Sequence, residues 1–105
     1  MLTTEKIYKG MFGFQVNVKT GIDLSNATTT NILVSKPNGL STTWAATPKS
    51  PATVGILTYT VTSGDIDVHG KYMVQAELVF PANPPIPAKK LYGKTAFFMV
   101  YERYN

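Results

Sequence analysis

Between Gly64 and Phe80 the chain turns and then alternates. After the turn-forming run from Ser63-Gly64-Asp65 to Gly70, Tyr72, Val74, Ala76, Leu78 and Phe80 fall on one face. Met73, Gln75, Glu77 and Val79 fall on the other. A period of two predicts a half-buried strand whose first set faces a core. The same period recurs along the chain. Phe12, Phe14, Val16 and Val18 alternate with Gly13, Gln15, Asn17 and Lys19. Ile32 and Val34 oppose Leu33 within residues 28–36, and Thr42, Trp44 and Ala46 share a side of residues 40–47. Leu57, Tyr59 and Val61 face inward from residues 54–62, with Ile56, Thr58, Thr60 and Thr62 facing out. Ile7-Tyr8 reads as a short edge strand closed by Gly10. Residues 91–101 form the last strand, apolar on both faces near its end: Phe97 and Met99 on one, Phe98 and Val100 on the other.

Turn chemistry separates these runs. Residues 20–27 are turn-rich, with Leu24 and Ala27 as anchors into the core and Asp23, Ser25 and Asn26 suited to bond local backbone. Pro37-Asn38-Gly39 predicts a tight hairpin. Pro48 and Pro51 interrupt pairing over residues 47–53, and Pro81, Pro84, Pro85 and Pro87 make residues 81–88 a stiff, extended, exposed loop. No segment shows helical spacing over three turns. The expected fold is all-β, an antiparallel sandwich of six or seven strands in one domain over residues 1–105, with an antiparallel barrel as the alternative. The predicted core is Tyr72, Val74, Ala76, Leu78, Leu57, Tyr59, Trp44, Val16 and Phe97. Trp44, the only tryptophan, reads as a core residue, with a surface-binding role as the alternative.

Composition narrows the class. The 105 residues can bury roughly 65% of their unfolded surface. Cysteine is absent, so the chain is held by its core and ladders alone. Ten basic residues against six acidic ones are scattered, include a single Arg, and cluster only at Lys89, Lys90 and Lys94. That distribution suits a solvated face better than a nucleic-acid surface. The first residues lack the pattern of a signal peptide, and no run approaches the length that spans a bilayer. A soluble protein is expected, with no nucleic-acid or membrane partner.

Candidate chemistry is sparse. His69 is the only histidine and sits in a turn beside Asp67, while no Gly-x-Ser-x-Gly elbow occurs. Asp65 and Asp67 bond their own turn's backbone or, alternatively, offer oxygens to calcium, for which two carboxylates are too few. No glycine-rich phosphate loop is present. Asn26-Ala27-Thr28 matches a glycosylation sequon. Neither catalysis nor a cofactor, metal or small-molecule substrate is expected. Pro84-Pro85-Ile86-Pro87 reads first as a rigid loop and second as a contact surface.

Several of these motifs carry a resemblance. Tyr72, following Gly70 and standing two residues before Val74, resembles the tyrosine corner of Ig-like sandwiches, an ordinary strand tyrosine being the alternative. Asp23-Leu24-Ser25-Asn26-Ala27-Thr28, Lys36-Pro37-Asn38-Gly39 and Gly64-Asp65-Ile66-Asp67 before Gly70-Lys71-Tyr72 extend the likeness over almost the whole chain. Together they resemble a family of short, single-domain, Ig-like virion proteins of tailed bacteriophages and, more loosely, the N-terminal domain of phage baseplate upper proteins. Asn26 stands where that family has Gly, and residues 81–88 are longer than its pattern. The resemblance implies a non-enzymatic structural or accessory protein of the tail, baseplate, fibre or head surface. It would be made in the bacterial host cytoplasm and present in many copies among other virion proteins. The alternative is a stand-alone Ig-like module that binds a cell-surface glycan or protein. With Phe97 inward, the expected partner contact comprises Pro81, Pro84, Pro85, Ile86 and Pro87 with the outer face of the last strand, Phe98 and Val100, and Tyr104.

Overall fold

In the structure, a computed structural model, residues 6–102 are described. Their strands are β1 (Ile7–Tyr8), β2 (Gln15–Lys19), β3 (Thr29–Ser35), β4 (Ser41–Ala45), β5 (Thr47–Pro48), β6 (Ile56–Thr60), β7 (Gly70–Phe80), β8 (Lys89–Tyr92) and β9 (Ala96–Tyr101). One sheet runs β1-β9-β7-β3-β4 with β8 also paired to β7, and the second runs β2-β6-β5. The protein is all-β, as its alternating pattern requires. The first sheet is mixed, because β1 pairs with β9 in parallel, Ile7 opposite Val100, which corrects the expectation of antiparallel pairing throughout. After β1 the chain leaves for the other sheet, so no hairpin dictates the direction in which β1 meets β9.

β7 is the hub. Its inward residues Tyr72, Val74, Ala76 and Leu78 are buried with Ile32 and Val34 of β3, Trp44 of β4, Val18 of β2, Leu57 of β6 and Val100 of β9 in one apolar cluster. Trp44 and Tyr59 tie the sheets together: their rings stack at 4.7 Å across the interior, and Trp44 is 3% exposed. The surface-binding alternative for Trp44 is thereby excluded. Val16 and Tyr59 are half-buried, as edge positions of that core.

The hairpin at Pro37-Asn38-Gly39 forms as its residues predict, with Gly39 N–H donating to the Lys36 carbonyl at 3.0 Å. The run 40–47 does not stay in one sheet. At Ala46 it crosses over, held by Thr30 Oγ1, which donates to the Ala46 carbonyl at 2.7 Å, and Thr47–Pro48 then pairs with β6. The alternation from Phe12 is likewise interrupted. Gly13 takes φ +89°, open to glycine and costly for other residues, and β2 begins only at Gln15. Phe12 is exposed instead of lining the core.

The last strand is broken by a bulge. Tyr92 stands opposite Glu77 and Ala96 opposite Val74, so Gly93, Lys94 and Thr95 face only Gln75 and Ala76. One extra residue reverses the facing of everything beyond it. Leu91 lies beside Leu78 on the inner face, but from Ala96 onward the even-numbered residues turn inward. Phe97, expected in the core, is 60% exposed, while Val100 is 2% exposed.

Candidate interaction surface

The reversal relocates the expected contact residues. Phe98 is half-buried, its ring stacked on Tyr72 at 5.2 Å, and Val100 belongs to the core. Neither presents an outer face, and their assignment to one is corrected. Pro81, Pro84, Pro85, Ile86 and Pro87 are exposed as expected, but not as an extended loop. Asn83 and Ile86 exchange backbone hydrogen bonds of 2.8 and 2.7 Å, closing a tight tip on the β7–β8 hairpin. Tyr104 lies outside the described residues.

Nor does the fold bring the two groups together. Phe97 pairs with Met73 and Lys89 with Phe80, seven residues apart along β7, which is about 23 Å of strand. The proline tip lies further out still. A single contact cannot centre on both.

What the fold does assemble is an apolar strip on the outer face of the larger sheet. Phe97, Met99 and Tyr101 follow one another along β9, and Tyr8 of β1 meets Tyr101 with ring centroids 6.2 Å apart. Met73 of β7 sits beside Phe97. Lys71 Nζ lies 4.4 Å from the Phe97 ring centroid and Lys6 Nζ 5.1 Å from that of Tyr101. Next to the strip, Leu33, Thr43, Met73 and Gln75 line an open depression of about 430 Å³. The Gln75 amide donates to the Gly93 carbonyl at 2.9 Å and fixes the rim at the bulge. Exposed apolar groups on one sheet face mark interaction surfaces. Sequence periodicity alone misses this strip, although Gly93 within an apolar strand is a recognised sign of a bulge.

The polar groups serve the fold. The Asp65 carboxylate accepts from Tyr59 Oη at 2.7 Å, from Thr62 N–H at 2.8 Å and from Thr62 Oγ1 at 2.9 Å. Burial by itself raises the Asp65 carboxyl, but these bonds together outweigh it and hold it below its ordinary value. Asp67 pairs with Lys36 Nζ at 2.8 Å, and this hydrogen bond lowers its carboxyl. Asp65 thus bonds its own turn, whereas Asp67 reaches across to the β3–β4 hairpin. His69 is exposed, with Nδ1 3.2 Å from Glu102 Oε2, while Lys9 Nζ approaches the other Glu102 oxygen at 3.3 Å. Among the described residues no group of three His, Cys, Asp or Glu side chains converges on a possible metal position. Among the described residues no helix is long and apolar enough to cross a membrane.

Comparison of the chain with protein-family models, with curated proteins and with solved structures finds no match.

Proposed function

We propose that this protein is a non-enzymatic structural or accessory component of a tailed-bacteriophage particle, acting through protein–protein contacts. The observation that carries the contact role is the strip of Tyr8, Phe97, Met99 and Tyr101 on an outer sheet face, apolar where a solitary domain has no need of it. The particle context rests on the resemblance of the three turn motifs and the Gly70-Lys71-Tyr72 strand entry to short phage virion proteins.

An Ig-like sandwich is the proposed fold family. Its support is the strand order. Taking β7 as the strand with the tyrosine corner, β9-β7-β3-β4 corresponds to the GFCC′ sheet and β2-β6-β5 to strands B, E and D. The Tyr72 hydroxyl bonded to the backbone of Val68 supplies the corner itself. The competing role, a stand-alone glycan or protein receptor, loses its best aromatic candidate because Trp44 is internal.

Synthesis in the host cytoplasm and incorporation in many copies follow from this role. Sedimentation of purified particles with quantitative mass spectrometry tests it. The expected result is co-sedimentation at a fixed copy number; a protein left in the soluble lysate, with none on particles, overturns the proposal.

A further inference from the structure

We infer that the strip of Tyr8, Phe97, Met99 and Tyr101, with Lys6 and Lys71 laid across it, docks an apolar surface rimmed by carboxylates on another protein. The inference rests on the contact role proposed above and specifies the chemistry of the partner. Phe97, Met99 and Tyr101 all point outward from β9, while Phe98 and Val100 between them satisfy the protein's own core. The outward set is therefore surplus to folding.

The two lysines decide what fits there. Lys9, Lys36 and Lys90 each meet a carboxylate, on Glu102, Asp67 and Glu77 respectively. Among the described residues Lys71 and Lys6 meet none, and their ammonium groups rest instead on the Phe97 and Tyr101 rings. A ring face holds a cation weakly in water, and an ammonium covered by a purely apolar partner loses its hydration without a counter-charge. A carboxylate at each lysine restores the balance, while the aromatic and Met side chains contribute the buried apolar area.

Other occupants fit less well. A second copy seated face to face brings four lysines into one interface, while the Glu102 and Glu77 carboxylates already meet Lys9 and Lys90. Single-stranded nucleic acid needs free ring faces for base stacking, and here Lys71 and Lys6 lie over the Phe97 and Tyr101 rings.

The test uses the whole ¹⁵N-labelled protein. Amide shifts are mapped against a peptide of alternating Leu and Glu, a matched Leu–Lys peptide and oligo-dT, with sedimentation equilibrium on the protein alone. The expected outcome is saturable shifts from the Leu–Glu peptide, confined to Tyr8, residues 70–73 and residues 96–101, weakening as salt rises. K6E/K71E is expected to bind that peptide at least about tenfold more weakly and to gain affinity for the Leu–Lys peptide. F97S, which leaves both charges in place, is expected to lose binding too. Absent or misplaced shifts, unchanged binding by K6E/K71E, equal affinity for oligo-dT, or self-association through the strip overturns the inference. Particle association is read separately. A protein found on particles without the peptide map defeats the docking chemistry alone, and the map without particle association defeats the virion role alone.

Discussion

The hydroxyl of Tyr72 bonds the backbone of Val68 in both directions, donating to its carbonyl at 2.7 Å and accepting from its amide at 3.2 Å. Tyr72 is 0% exposed, and removing its hydroxyl takes the side-chain partner from both part-buried Val68 groups. The bond pins the turn before β7 to the first inward residue of the central strand.

Tyr72→Phe is therefore expected to lower stability by about 1–3 kcal/mol, the usual cost of leaving partly buried backbone groups unpaired. The change should appear as a lower urea midpoint with an unchanged slope. An unaltered midpoint would mean that the corner is incidental.

The two faces of β9 separate in the same assay. Val100→Ala removes buried methyl groups and is expected to cost about 2 kcal/mol. Phe97→Ala, on an exposed ring that touches Lys71, is expected to cost under about 1 kcal/mol. The reverse ranking would place Phe97 inward and erase the bulge.

Much of the architecture is legible from side-chain period and turn chemistry, because burial of one face per strand is a local constraint. Tyr72 to Leu78, the Pro37-Asn38-Gly39 hairpin, Leu24 as an anchor and the two-residue edge strand at Ile7 all follow from neighbouring residues. The failures are non-local. Phe97 and Phe98 are the same residue type on opposite faces, and only the register against Gln75 and Ala76 says which one enters the core. Ala46 changes sheets because Thr30 and β6 wait on either side of it, and nothing in the run 40–47 records that. The apolar strip is hidden for the first of these reasons. Leu91 is inward, and counting by twos from it leads to Phe97.

Acid should weaken the protein partly through Asp65. Its folded-state value is lowered from the ordinary 3.8, so its contribution is present above that value and is lost as pH falls through the lower folded one. Urea midpoints measured from pH 5 to about pH 2 should fall more steeply for the wild type than for Asp65→Asn. Asp23 and Asp67, also lowered, leave a residual slope in the variant. Parallel curves would remove Asp65 from the acid response.

Gly70 carries both a conformational and a steric demand. It sits at φ +127°, and a Cβ placed there would lie 2.7 Å from the Pro37 Cβ. Gly70→Ala is expected to destabilise by about 1–3 kcal/mol. Adding Pro37→Gly should recover the part due to the clash and leave the part due to φ. Calorimetry of the single and double variants distinguishes the two, and a neutral Gly70→Ala would refute both.

The eleven residues of β7 run unbroken from the aromatic strip at one end to the proline tip at the other. A strand of this kind acts as a ruler whose graduations come in pairs. Two residues added between Ala76 and Phe80, matched in the neighbouring strands, lengthen it by about 6.6 Å and keep every side chain on its face. One residue added alone exchanges inside for outside beyond the insertion. If neighbours are gripped at both ends, their spacing can change only in such steps, and the reach of the protein is set by counting rather than by flexibility.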